Sequence, residues 1–182
     1  MNHQLIETKI PGCYELQPLN ISDNRGSFVK TFHADCFESL GLRTDWAEQY
    51  YSVSHPGVVR GLHFQLPPHD HAKLVYCIVG RVHDVAVDLR KGSPTFGEHI
   101  ALELSAERAN MLYLPAGLAH GFSTYDEQAI MVYNVTSVYH PESDAGIHWG
   151  SISEKWPISK PLVSERDRQF PIMQEFQSPF VY

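Results

Sequence analysis

Apolar residues along this chain fall in short, β-branched runs rather than at helical spacing. Leu74 to Val79 and Val82 to Leu89 are two such runs, and Gly80-Arg81 between them predicts strand, turn, strand. Elsewhere polar and apolar residues alternate. Tyr14 to Leu19 predicts an edge strand, and Ser27 to Phe32 sets Phe28, Lys30 and Phe32 on one face. Trp46 to Ser54 puts Glu48, Tyr50, Ser52 and Ser54 on one side and Gln49, Tyr51 and Val53 on the other. Further strands are predicted at Val59 to Gln65, Phe96 to Leu104, Asn110 to Leu114 and Ala129 to Val135, the last with Met131 and Tyr133 facing one way. In the first half only Ala34 to Leu40, closed by Gly41, reads as a helix. From about residue 150 Pro157, Pro161, Pro171 and Pro179 predict an irregular tail with one helical turn. Many short strands with glycine and proline turns predict an all-β fold, a jelly-roll barrel with a few short helices and no long exposed edge. At 182 residues, 43% of them hydrophobic, one domain spanning 1–182 is expected.

Charge narrows the choice of partner. The formal net charge is -7 and no cluster of Lys and Arg is present, which argues against a nucleic-acid backbone or an anionic membrane. An anionic ligand would need a locally basic pocket. Cys13, Cys36 and Cys77 are odd in number and widely spaced, so neither a disulfide framework nor a zinc knuckle is predicted, and the cytoplasm is the expected compartment. Met1 to Gln4 do not open like a leader, and no apolar run approaches the ~20 residues of a membrane span, so a soluble protein is expected.

Ionisable residues within strands mark the candidate chemistry. His63, Lys73, His83 and Asp84 lie in or beside the most apolar stretch, and strand interiors carry such groups at a cost in desolvation, which points to a polar-lined pocket. By strict alternation Arg60 and His63 face opposite ways. Both can serve one pocket only if the strand bulges at Gly61. Asp84 and Asp88 share a face, so at least one is expected to brace a pocket or an arginine. His69 and His71 either line a mouth or are solvated, whereas His3, His33, His55, His99, His140 and His148 read as surface or loop residues. Taken singly, His63 reads as a structural histidine and Tyr133 as a core tyrosine with its hydroxyl at a barrel rim.

Their context changes this. Arg60-Gly-Leu-His-Phe-Gln with Pro67-Pro68, Lys73-Leu-Val, Asp84-Val-Ala-Val-Asp-Leu-Arg90, Ser93-Pro-Thr-Phe-Gly97, Pro115-x-Gly-x-Ala-His-Gly-Phe122 and Tyr133-x-x-Thr136 resemble the dTDP-4-dehydrorhamnose 3,5-epimerase family, in the same order from Asp23-x-Arg-Gly26 to Ser164-x-x-Asp167. The resemblance implies a cupin-type jelly roll, a homodimer exchanging its N-terminal strand, no metal and no cofactor. It also implies a nucleotide-linked 4-keto-6-deoxyhexose as substrate and a place in rhamnose, deoxysugar and lipopolysaccharide or O-antigen biosynthesis. Inverting a carbon beside a ketone needs a base on one face, a stabiliser for the enolate and an acid on the other face. The resemblance gives these roles to His63, oriented by Asp167, to Lys73 and to Tyr133. Arg60, His120 and a partner subunit's Arg25 would hold the diphosphate. Phe28, Lys30, Glu48, Tyr50, Asp144 and Arg166 match other substrate-contacting positions.

Lys30, Glu48, Tyr50 and Val138 depart from the family pattern at its nucleotide-base end, and His71 replaces a common glutamine. A CDP-, GDP- or UDP-linked sugar, and inversion at C3 or C5 alone, are therefore carried as alternatives. A metal-dependent cupin enzyme is a third, since Gly57-x5-His63 and Pro115-x-Gly-x-x-His120 resemble cupin blocks, although Gln65 stands where a second histidine is usual. A non-catalytic sugar-nucleotide binding protein is a fourth, and it would have no need to keep His63 and Tyr133.

Overall fold

A computed structural model describes residues 3–125 and 127–182; Met1, Asn2 and Asp126, and with the first two part of the leader argument, lie outside the described residues. The strands are β1 (Gln4–Glu7), β2 (Tyr14–Gln17), β3 (Asn20–Asp23), β4 (Gly26–Val29), β5 (Glu48–Ser54), β6 (Val59–Gln65) and β7 (Lys73–Val79). β8 (Arg81–Asp88), β9 (His99–Ser105), β10 (Met111–Leu114), β11 (Leu118–Thr124), β12 (Ala129–Val135) and β13 (Asp144–Gly146) follow, with helices α1 (Ala34–Ser39) and α2 (Glu165–Arg168) and a 3-10 turn at Trp149–Ser151. They form the predicted jelly roll, a six-stranded sheet in the order β1-β2-β10-β7-β12-β5 and a five-stranded sheet in the order β13-β6-β11-β8-β9. None of the described helices is long and apolar enough to cross a membrane.

Alternation decides what each sheet buries. Inward residues of β7, β8, β10, β11 and β12, among them Val75, Cys77, Ala86, Leu112, Leu118, Phe122 and Met131, form an apolar floor between the sheets. Outward residues of the six-stranded sheet pack beneath Phe37 of α1. Those of the five-stranded sheet, Leu62, Phe64, Val85 and Val87, lie beneath the C-terminal tail, which contributes Trp156, Phe176 and Phe180. The tail is irregular as predicted, with its helical turn at α2. Asp88, one of the two acids sharing a face, is saturated by Arg90, Ser93 and Thr95.

Several expectations need correction. β2 is internal, because the N-terminal residues add β1 outside it. The strand predicted to reach Phe32 ends at Val29, so Lys30 and Phe32 do not share its face with Phe28; β3 and β4 instead make a separate two-stranded hairpin. The turn at Gly80 is present between two strands as predicted, and it carries the chain from one sheet to the other, since β7 and β8 pair in different sheets. A seven-residue edge does remain exposed, at β5, where Tyr51 is 69% accessible. Among the histidines read as surface or loop, His3 is buried against Cys36 and the Lys30 carbonyl. His99 lies in β9, bonded with His83 to the tail residue Glu154.

The expected bulge is present. His63 pairs with His120 and Arg60 with Phe122, so two residues of β6 oppose one of β11 between them, and Arg60 and His63 reach the same face. Gly61 makes this possible: its φ is +124°, and a Cβ there would stand 2.7 Å from the Gly121 Cα. Gly61→Ala should therefore cost about 2 kcal/mol or more, from backbone strain plus overpacking. Gly57→Ala, with φ +78° but open space around it, should cost less. Urea denaturation of the two variants checks this, and equal losses would contradict it.

Candidate active site

The polar inward residues gather at one end of the space between the sheets. They line a cavity of about 330 Å³. The five-stranded sheet gives it His63 and Gln65 from β6, His120 from β11 and Asp144 from β13, while the six-stranded sheet gives Glu48, Tyr50 and Ser52 from β5, Lys73 from β7 and Tyr133 from β12. A second cavity of about 500 Å³ shares Arg60, His63 and Arg166 with the first and reaches Asp167.

His63 is held by Asp167. Ser164 caps α2, its hydroxyl accepting from the Asp167 backbone N–H, and this aims the carboxylate at β6. One carboxylate oxygen accepts from His63 Nε2 at 2.9 Å and the other from the Gly61 N–H at 2.9 Å. A carboxylate only accepts, so the proton sits on Nε2 and Nδ1 keeps its lone pair. Burial pulls the His63 pKa down, more than Asp167 raises it, and leaves the ring neutral near pH 7. Burial alone would raise the Asp167 carboxyl. The bonds from His63, Gly61 and Ser164 outweigh it and hold the group well below the usual carboxylate range.

Lys73 is buried, donates to the His63 carbonyl at 3.1 Å, and is lowered to about 8 by desolvation. Tyr133 stacks on Tyr50 at 4.8 Å with its hydroxyl 3.2 Å from Ser52 Oγ, and burial pushes its phenol upward, so it stays protonated. His120 donates from Nε2 to both oxygens of the fully buried Asp84, at 3.0 and 2.9 Å. Asp84 is thus the acid that braces this pocket, through His120. Arg60 is fixed by Ser54 Oγ and the Val53 carbonyl, and Arg166 by Asp144 at 2.5 Å.

Arg25, Phe28 and Lys30 are not brought into this cavity. Phe28 is 61% exposed on β4, and Arg25 is exposed and paired with Asp23 at the hairpin tip. Ser52 and Gln65 went unassigned although both share a strand face with assigned residues, so alternation could have found them. Ser137 and Tyr139 line the cavity from a loop with no periodicity to expose them. The metal-cupin donor set does not assemble: Gln65 spends its amide on the His69 and Val138 carbonyls and the His140 N–H. Among the described residues, three metal-ligating side chains converge only at His69, His140 and Glu142. There the two imidazoles are stacked 3.5 Å apart at 10°, so their lone pairs lie in nearly parallel planes rather than meeting on one ion.

The family model for dTDP-4-dehydrorhamnose 3,5-epimerase matches residues 7–175. The chain belongs to that family. The dTDP-4-dehydrorhamnose 3,5-epimerase of Shigella flexneri is 42% identical over 166 residues, 90% of this chain and 92% of that one. A Streptomyces niveus protein named dTDP-4-dehydrorhamnose 3-epimerase is 37% identical over 91% of this chain and 82% of its own length. The crystal structure of the Legionella pneumophila epimerase in complex with dTDP-4-keto-L-rhamnose superposes with a TM-score of 0.94 and 34% identity, covering 100% of this chain and 99% of that one.

Burial also sets a pH dependence. His3, His63 and His71 are each held below the ordinary histidine value, His71 at about 3. The unfolded chain takes up protons near pH 6.5 while the folded histidines stay neutral, so stability is full above that pH and is lost as pH falls toward the folded values. The Asp167 contribution disappears only below about pH 4, where its unfolded carboxyl titrates. The urea midpoint should fall from pH 7 to pH 5, less steeply in His71→Gln. A flat profile in the parent protein would contradict it.

Proposed function

We propose that this chain inverts C3 and C5 of a dTDP-linked 4-keto-6-deoxyhexose by proton abstraction and reprotonation through an enolate. The observation that carries the reading is that His63 and Tyr133 project into one cavity from opposite sheets, with Lys73 beside them. His63, neutral and with Nδ1 unprotonated, takes the proton from the carbon next to the ketone. Lys73 offers positive charge to the oxygen as the enolate forms, in a site dry enough to make that charge count. Tyr133, protonated, gives a proton to the opposite face. Asp167 acts through His63 by fixing its tautomer. Arg60 and His120 provide the locally basic surface that an acidic protein needs for a diphosphate.

One base and one acid serve both carbons if the sugar ring turns between steps. The relative named for the 3-epimerase reaction alone makes C3-only inversion the second reading. Proton NMR in deuterated water with a panel of nucleotide-linked 4-keto-6-deoxysugars tests both: deuterium at C3 and C5 of the dTDP sugar is expected. Uptake at C3 alone favours the second reading, and no uptake from any of them rejects the epimerase. In the same assay Tyr133→Phe should keep exchange, because His63 still forms the enolate and returns the proton to its original face. Inverted product should fall by about 10²-fold, the usual worth of a positioned acid. Loss of exchange and inversion together would make Tyr133 a positioning residue.

The whole chain is proposed to act as one domain within a homodimer. Support comes from the hairpin β3-β4, which presents exposed Ile21 and Phe28, and from the open edge β5 with exposed Tyr51 and Val53. In this arrangement Arg25, Phe28 and Lys30 complete the pocket of the partner subunit. Mixing inactive Arg25→Ala chains with inactive His63→Ala chains should restore part of the activity, since one pocket of the heterodimer regains both residues. Verified subunit exchange without recovery would mean that each pocket is built from a single chain.

A further inference from the structure

His71 precedes Lys73, the first residue of β7, by two positions, and both line the cavity. Its hydrogen-bonding state is set by a neighbour. The His140 N–H donates to Gln65 Oε1 at 2.6 Å, which fixes the orientation of that amide. Gln65 Nε2 then has two hydrogens to share among three neighbours, two of which are the carbonyls of His69, 2.8 Å away, and Val138, 3.1 Å away. The same nitrogen lies 3.1 Å from His71 Nδ1. An amide nitrogen cannot accept, so Nδ1 carries no proton and the imidazole bears its hydrogen on Nε2. Nε2 is buried and has no hydrogen-bond partner among the described residues. An unpaired buried donor is costly enough that native structures rarely keep one without a use for it.

We propose that His71 Nε2–H is a substrate-positioning donor that meets the C4 oxygen of the sugar and, with Lys73, stabilises the enolate. This rests on the epimerase reading. Burial and the nearby Lys73 hold the His71 pKa down at about 3, so the ring stays neutral through the working range and does not add a second cation beside Lys73. A neutral, tautomer-locked imidazole supplies a directed hydrogen bond, whereas the ammonium supplies charge. The two are complementary on one oxygen. The donor is met by no group of the described residues, which leaves it for an acceptor that the ligand brings after a small adjustment of the ring.

Two substitutions test this. His71→Leu removes the donor, and His71→Gln restores one at about the same place. Each is measured by steady-state epimerisation of the dTDP-linked 4-keto-6-deoxysugar, by solvent deuterium uptake, and by urea denaturation without substrate. In His71→Leu kcat and deuterium uptake should fall together by about 10-fold or more, with KM within about 3-fold of the parent. Its urea midpoint should equal or exceed that of the parent, because an unpaired buried donor has gone. His71→Gln should recover most of kcat. An unchanged kcat in His71→Leu overturns the proposal, and so does a raised KM alone, which would mark a ground-state contact. A fall in activity that follows a fall in the urea midpoint and is not rescued by glutamine would make His71 a packing residue. If the parent protein itself takes up no deuterium, the epimerase reading fails and this one falls with it; a failure confined to the His71 variants leaves that reading standing.

Discussion

The arrangement at the cavity depends on one buried carboxylate. Asp167 ties His63 and the Gly61 N–H to a tail segment more than a hundred residues further along the chain. Taking a carboxylate out of water is expensive, and removing a partner from such a pair leaves an uncompensated charge. Asp167 is affordable because the bulge in β6 turns a backbone donor toward it and its own helix turn is capped by Ser164. The same bulge brings Arg60 and His63 onto one face. Backbone irregularity, tail docking and imidazole tautomer are thus one coupled arrangement.

The space between the sheets is divided along its length. At one end alternation delivers Val75, Leu112, Phe122 and Met131, a dry floor. At the other it delivers His63, Lys73, His120 and Tyr133. Stacked sheets stand about 10 Å apart, which leaves room for one pyranose ring with a hydrogen-bonding group on either side. In the proposed reaction, proton removal from one face and delivery to the other requires only that base and acid be borne by different sheets, and His63 and Tyr133 do lie on different sheets.

Much of this was legible in the sequence, for identifiable reasons. Strands β5 to β12 are strongly patterned, and the bulge at Gly61 followed from a glycine standing between two residues expected in one pocket, whereas the pairing of His63 with Asp167 came only from the family resemblance. What alternation cannot convey is which sheet a strand joins. Gly80 therefore read as a simple turn although it carries the chain across the sandwich. The end of β4 at Val29 was hidden because Lys30 and Phe32 continue the period without continuing the pairing. His3 read as a surface residue because nothing near Met1 signals that its ring meets Cys36. His71 was left between lining a mouth and being solvated, and the Gln65 amide network that places it joins residues that are 4 to 75 apart in sequence.

The C-terminal tail has two duties in the same stretch. Trp156, Phe176 and Phe180 roof the outer face of the five-stranded sheet, and Asp167 and Arg166 sit between them in the sequence. Were the tail to fray, the molecule would lose the carboxylate that orients His63 and bare Leu62, Phe64, Val85 and Val87 in a single event. An inactive copy of this kind also displays an apolar patch, the feature by which chaperones and proteases select their clients. The orientation of His63 and the dryness of one face of the sandwich therefore stand or fall with a single segment.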